Sequence, residues 1–138
     1  MDVRYSKQHG LVVVAMRGFI DAALITHELL PLMSKPELAL LPLALLDLTR
    51  ADGTSAPSDL IRVAARKASQ QIDPGLEVRN AKLAIAAVRD EFFGLGRMYG
   101  LLRGGDKVEV NVFRSVADAE RWLELPLDYA IDLEEIAV

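Results

Sequence analysis

The sequence has no cysteine, two histidines and few aromatic residues, which make up 6% of its 138 residues. A chain without cysteine forms no disulfide and no thiolate metal site, and we predict a cytoplasmic protein on this basis. Neither His9 nor His27 has a nucleophile or a metal-ligand spacing beside it. Because catalysis needs a base with an oriented partner, we expect no enzyme activity, no metal and no cofactor.

Long apolar runs and an excess of positive charge are also missing. The longest apolar run, Leu38 to Leu46, is interrupted by Pro42 and falls far short of the roughly 20 residues that span a bilayer. Sixteen basic and twenty acidic residues give a net charge of -4, which argues against nucleic acid as the main partner. We therefore predict no membrane span and no nucleic-acid binding.

Apolar residues are abundant, at 51% of the chain, and they fall into short runs separated by helical patterns. We place Leu43 to Arg50 at the centre of a sheet, followed by a loop from Ala51 to Pro57, where open α/β sheets usually bind ligands. The other runs typical of strands are Val3 to Tyr5, Leu11 to Met16, Lys82 to Val88 and Lys107 to Phe113, the last alternating as an edge strand does.

These patterns predict an α/β fold with the order β-β-α-β-α-β-α-β-α. We expect a mainly parallel sheet of five strands with an N-terminal antiparallel hairpin, and four helices that begin at caps at Asp21, Ser58, Asp90 and Ser115. Residues 1–125 form the predicted domain, and residues 126–138 form an acidic and apolar tail. Pro31 is expected to end or kink the first helix.

Glycines occur at Gly94, Gly96 and Gly100 inside one predicted helix, where each costs about 1 kcal/mol relative to alanine. Gly96 and Gly100 are four residues apart and share a face of the helix. Something is therefore expected to approach that face closely. The sheet, a ligand and a second copy of the helix are the three alternatives.

Three segments of the chain resemble the SpoIIAA-like family. They are the helix Phe93-Gly94-Leu95-Gly96-Arg97-Met98-Tyr99, the strand and helix Val112-Phe113-Arg114-Ser115 with Trp122-Leu123, and the central strand Leu45-Leu46-Asp47-Leu48-Thr49. The resemblance implies the STAS-type fold of anti-sigma-factor antagonists, with a distant likeness to SEC14 domains.

That resemblance implies two kinds of function. Antagonists are switched by phosphorylation of a serine at the start of the helix after the central strand, and the candidates here are Ser55 and Ser58. The antagonists' Asp-Ser-Ser-Gly motif is missing, because Thr54-Ser55-Ala56-Pro57-Ser58 stands in its place. For Ser58 the simpler interpretation is that its side chain caps the start of the helix.

SEC14-like domains carry a non-polar ligand between helices and sheet. In such a site Arg97 either holds an anionic head group or pairs with Glu91 or Glu120. The pocket candidates lie on or next to the helix segment Phe93 to Tyr99. They are Phe92, Phe93, Gly96, Arg97, Met98, Tyr99 and Gly100.

Polar residues at the carboxyl end of the central strand form another candidate group. Asp47, Thr49 and Asp52 either bind a cation or satisfy their own backbone in local turns, and the second is the commoner use of such residues. An enzyme that uses the segment from Asp47 to Ser58 is a remote alternative.

We predict a non-enzymatic STAS-type binding or interaction module, expected to be a homodimer. Its partner is predicted to be a small apolar molecule or another protein. A phosphorylation-switched regulator that uses Ser55 or Ser58 is the alternative.

Overall fold

The computed structural model of the chain describes residues 1–55, 58, 61–62, 64–66, 81–103 and 108–136. Within these residues the sheet has six strands, one more than predicted. In chain order they are β1 (Asp2–Ser6), β2 (Leu11–Ile20), β3 (Leu43–Thr54), β4 (Ala81–Ala86), β5 (Val108–Phe113) and β6 (Glu134–Glu135).

The strands lie side by side in the order β5-β4-β3-β2-β1-β6. β2, β3, β4 and β5 are mutually parallel, while β1 is antiparallel to both β2 and β6. The predicted hairpin, the interior position of β3 and the edge position of β5 are confirmed. Lys107, the predicted start of β5, lies outside the described residues.

Helices connect the parallel strands. Helix α1 is continuous through Ala22–Leu24, Ile25–Leu29 and Leu30–Met33, and α2 is the short helix Pro36–Ala39. Residues 58, 61–62 and 64–66 are helical and are called α3. Helices α4 (Asp90–Arg103) and α5 (Val116–Trp122) follow, and a 3-10 turn covers Tyr129–Asp132.

Two of the predicted caps are present as hydrogen bonds. The Asp21 carboxylate accepts the Ala23 backbone N–H at 2.8 Å, and the Ser115 hydroxyl accepts the Asp118 N–H at 3.1 Å. Such caps satisfy backbone donors that have no partner inside the helix.

The first helix runs past Pro31 instead of ending there. The segment Ile25–Leu29 is a π-helix, in which the Leu30 N–H reaches the carbonyl of Ile25. Pro31 then lies in the first turn of the segment Leu30–Met33, where a missing N–H is tolerated. The wider π turn therefore accommodates the proline that was expected to end the helix.

Apolar clusters cover both faces of the sheet. On one face, Val14 and Met16 of β2 pack with Leu32 of α1, Leu38 of α2 and Phe92 of α4. On the other face, core residues of the strands pack with α5 and with the 3-10 turn; they are Leu11, Leu45, Ala84, Ala119, Leu123 and Tyr129. Each buried valine, leucine, methionine or phenylalanine side chain among them contributes roughly 1.5–3 kcal/mol to stability.

The strand β3 is longer than predicted and includes part of the expected loop from Ala51 to Pro57. β3 continues to Thr54, so that Asp47, Thr49 and Asp52 all belong to a strand. Pairing with the long strand β2 holds this extension, through two register shifts in which β3 contributes one extra residue each time. Such bulges keep strands paired where their lengths do not match. Ala56 and Pro57, at the end of the predicted loop, lie outside the described residues.

Residues after 125, predicted as a tail, pack against the sheet. β6 pairs with β1 in the register Arg4↔Glu135 and Tyr5↔Glu134. The His9 imidazole lies 2.9 Å from the Asp132 carboxylate, and Tyr129 is only 8% exposed. This segment therefore supplies both a strand and a core side chain.

Candidate functional site

Helix α4 lies unusually close to the edge strand β5. A Cβ on Gly96 would come within 3.1 Å of Val112 Cγ2 and 3.4 Å of Ile85 Cγ2, and one on Gly100 would come within 3.4 Å of Val110 Cγ1. Of the three alternatives predicted for the approach to this face, the sheet is the one observed. The two glycines bring the helix directly onto the strand.

Beside this contact, α4 overhangs the outer edge of the sheet. Phe93, Arg97 and Leu101 follow each other at intervals of four residues and so form one ridge along the helix. An open groove of about 370 Å³ lies between α4 and β5. It is lined by Phe93, Gly96, Arg97, Gly100, Leu101, Val110, Asn111 and Val112.

The outer edge of β5 has no neighbouring strand among the described residues. The Phe113 carbonyl accepts the Ala87 N–H at 2.8 Å, so the backbone groups of Phe113 point toward β4. Since these groups alternate along a strand, those of Val112 and Val110 point away from the sheet. The Asn111 side chain accepts the Val112 N–H at 2.9 Å, which partly covers this edge.

Positive charge accompanies the groove. Arg97 is exposed, and within the described residues it has no ion pair. Arg114 stacks over the Phe93 ring at 3.9 Å and pairs with the Asp90 carboxylate at 2.9 Å. The groove therefore combines apolar side chains, polar groups and one arginine that is available to an anionic group.

The predicted pairing of Arg97 with Glu91 or Glu120 is not observed. Glu91 lies 3.7 Å from Arg89, and Glu120 accepts a hydrogen bond from the Tyr129 hydroxyl. Residues 91 and 97 are six positions apart, which places them on different sides of a helix.

The seven predicted pocket residues divide into two groups. Phe93, Gly96, Arg97 and Gly100 line the groove. Phe92 is instead a core residue, 3% exposed, and Met98 and Tyr99 are half-buried but do not line the groove. Four lining residues were missed, namely Leu101, Val110, Asn111 and Val112. Two signals pointed to them: Leu101 continues the spacing of Phe93 and Arg97, and β5 alternates as an edge strand does.

Asp47 and Thr49 satisfy each other within β3. Asp47 Oδ1 accepts the Thr49 backbone N–H at 2.9 Å and the Thr49 hydroxyl at 2.6 Å. A bulge leaves such an N–H without its regular partner, and a local aspartate commonly replaces that partner. The Asp52 backbone carbonyl accepts Arg89 Nη1 at 2.5 Å. The local-turn reading thus accounts for Asp47 and Thr49.

Tyr129 lies near Asp47 on the same face and was not predicted as a notable residue. Burial raises the pKa of its phenol well above its usual range, and the hydrogen bond to Glu120 and the nearby charge of Asp47 act in the same direction. The hydroxyl therefore stays protonated and donates to Glu120. This hydrogen bond joins the C-terminal segment to α5.

The two candidate serines occupy different environments. The Ser55 hydroxyl accepts the Ala22 N–H at 3.0 Å and so ties the end of β3 to the start of α1. Ser58 is exposed and already helical, which places it inside α3 rather than at the predicted flanking cap. Neither serine lines the groove.

Comparison with solved structures finds an uncharacterised protein of the DUF3478 family with a SpoIIAA-like fold, from Shewanella loihica PV-4. It is 21% identical to this chain, the match covers 88% of this chain and 90% of that one, and the TM-score is 0.46. No protein-family profile and no curated protein matches the chain.

Within the described residues, no helix has both the length and the apolar character needed to cross a membrane.

Proposed function

We propose that the protein is a non-enzymatic binding module whose site is the groove between α4 and β5. One observation carries this proposal: five residues of α4, among them Arg97, meet the edge strand β5 in one groove, and the other side chains that line it are apolar except for Asn111. Its volume of about 370 Å³ is at the lower end of the range for small-ligand pockets. The ligand is a small apolar molecule or an apolar segment of a protein.

The exposed apolar surface around the groove supports this function. Leu101 is 83% exposed and Leu102 is 45% exposed, although both belong to a helix that packs on the sheet. Covering a leucine side chain contributes roughly 1.5 kcal/mol or more to binding. A ligand seated against the ridge gains this term without any rearrangement of the core.

Amide chemical shifts provide the test, with 1-octanol as an apolar probe. We expect octanol to shift the amides of Gly96, Gly100, Val110 and Val112. Leu101→Lys is expected to weaken this binding about tenfold, because it removes a leucine from the contact. Leu127→Lys is the matched control, since Leu127 is a fully exposed leucine outside the groove and its replacement should change nothing.

Two results would overturn the proposal. One is an absence of octanol-dependent shifts in α4 and β5 at saturation of the probe in water. The other is equal weakening by the two lysine variants, which would indicate nonspecific adsorption to exposed leucines.

A second candidate function is a phosphorylation switch at Ser55. The observation in its favour is the 3.0 Å hydrogen bond through which the exposed Ser55 joins β3 to the first turn of α1. A phosphate there adds negative charge beside the Asp21 carboxylate, which caps the same helix. It would therefore loosen this junction.

Ser55→Asp and Ser55→Ala test the switch. Ser55→Asp is expected to perturb the amides of Ala22 and Ala23 more than Ser55→Ala does, because only the aspartate adds a charge. The same pair of changes at the exposed Ser58 is the control. Identical spectra for the two Ser55 variants would remove this candidate.

A further inference from the structure

We infer that the groove binds an extended segment of a partner protein, which joins the sheet as an added strand beside β5 and places an acidic residue against Arg97. This inference rests on the proposed function and names the class of its partner. It follows from three features of the groove among the described residues: a strand edge without a neighbouring strand, a helical ridge with a matching repeat and an arginine without an ion pair.

The strand edge supplies the hydrogen bonds. The Phe113 carbonyl accepts the Ala87 N–H and so points toward β4. Because backbone groups alternate in direction along a strand, those of Val110 and Val112 point away from β4. Among the residues that the structure describes, the partner of the Val112 N–H is the Asn111 side chain. This partner can swing into solvent when a strand arrives. Strand addition then replaces one hydrogen bond with a ladder.

The ridge supplies the side-chain contacts. Phe93, Arg97 and Leu101 are spaced four residues apart, which is about 6 Å along a helix axis. Alternate residues of a strand are about 6.7 Å apart. Successive side chains on one face of an added strand therefore meet the three ridge residues in turn. A partner segment that matches the ridge therefore has an apolar residue, any residue, an acidic residue, any residue and an apolar residue, in that order.

Charge selects this occupant over a second copy of the chain. The eight residues that line the groove include Arg97 and no carboxylate. A second copy paired through β5 would bring the Arg97 of its own α4 to the same edge, and its Glu109 would lie on the strand face opposite to Val110 and Val112. An acidic segment instead brings the charge that Arg97 lacks. Like charges at a contact oppose association, and opposite charges favour it.

The probe is a synthetic heptapeptide, acetyl-Thr-Leu-Thr-Glu-Thr-Leu-Thr-amide, whose pattern reads alike in both strand directions. We expect it to shift the amides of α4 and β5 and to slow hydrogen exchange at Val110 and Val112. Replacing its glutamate with lysine should weaken binding about tenfold, because an attraction becomes a repulsion.

A charge exchange tests the role of Arg97. Arg97→Glu should bind the glutamate peptide about tenfold more weakly and should prefer the lysine peptide. Arg17→Glu is the matched control, because Arg17 is an exposed arginine outside the groove and its reversal should leave the preference unchanged. Both sites are on the surface, so the variants are expected to fold.

Backbone methylation tests strand addition itself. Two further peptides carry N-methyl groups either on the threonines or on the leucines and the glutamate. Because the amides of a strand alternate in direction, one set should abolish binding and the other should leave it intact. Equal binding by both methylated peptides would overturn strand addition.

Other outcomes separate this inference from the proposed function. If octanol shifts the groove amides and no peptide does, strand addition is wrong while the groove remains a binding site. Self-association through β5 that excludes the peptide would also overturn the inference. If neither octanol nor peptide binds, the inference and the proposed function both fail.

Discussion

Single glycines determine how closely the helix α4 approaches the sheet. Gly96 and Gly100 face β5, whereas a Cβ on Gly94 would meet nothing within 4 Å. The sequence predicted a close approach at the first two positions but left the sheet, a ligand and a second copy as alternatives. The spacing of glycines defines a face, and only the packed structure shows what lies against it.

This difference predicts that replacing each glycine with alanine changes the free energy of unfolding differently. Gly94→Ala should raise the free energy of unfolding by up to about 1 kcal/mol, because alanine favours the helix and meets no obstacle. Gly96→Ala gains the same propensity but must displace the methyl groups of Val112 and Ile85. Urea denaturation should therefore rank Gly96→Ala below Gly94→Ala. Equal stabilisation by the two changes would show that the contact at Gly96 yields without cost.

Arg97 illustrates what sequence alone left open at this scale. Its charge was visible in the sequence, and so were two possible partners, Glu91 and Glu120. The structure directs those carboxylates to Arg89 and Tyr129 instead. Side-chain pairing depends on helix geometry and on contacts distant in sequence, which one-dimensional proximity does not determine.

At the scale of elements, the C-terminal segment differs most from its prediction. Its acidic and apolar composition suggested a separate tail, yet it supplies β6 and the buried Tyr129. A strand of two residues has too short a pattern to be recognised in a sequence. Longer elements were recognised because their repeats are sustained, as in β2, β4 and α4.

Tyr129 gives this segment a pH-dependent anchor. The folded state holds the phenolic proton more tightly than the unfolded chain does, since burial and then Glu120 raise its pKa. The stabilising contribution is therefore complete below the usual tyrosine pKa, and it declines as the pH rises above about 10, where the unfolded state ionises first.

We expect Tyr129→Phe to cost about 1 kcal/mol at neutral pH through the lost hydrogen bond to Glu120. The difference in urea midpoint between the two proteins should then shrink as the pH rises above about 10. Groups common to both proteins cancel in this difference. A gap that stays constant up to strongly alkaline pH would contradict the raised pKa.

At the scale of the whole molecule, the sheet has two unlike edges. Within the described residues β5 leaves one edge open, while β6 lies along β1 at the other, where Arg4 pairs with Glu135 and the His9 imidazole lies 2.9 Å from the Asp132 carboxylate. The sequence predicted the strand order along the chain and the parallel core. It did not predict the covered edge, because that contact joins residues at opposite ends of the chain. The predicted homodimer stays a prediction.

Removal of residues 134–138 tests the role of the covered edge. We expect the shortened chain to associate at concentrations where the full chain does not, because β1 then exposes unpaired backbone groups. Sedimentation velocity measures this change. Glu135→Gln, which keeps the backbone pairing and loses only a surface ion pair worth about 0–1 kcal/mol, should behave as the full chain does. Association of both proteins would point to charge rather than to the exposed edge.

The two unlike edges also limit how far the chain can grow by joining sheets. In the terms of polymer chemistry it corresponds to a monofunctional unit, since β5 leaves one edge unpaired within the described residues and the short strand β6 covers part of β1 at the other. Open fibres require two reactive ends per unit. If two copies did join through β5, we would therefore expect edge-to-edge growth to stop at that pair.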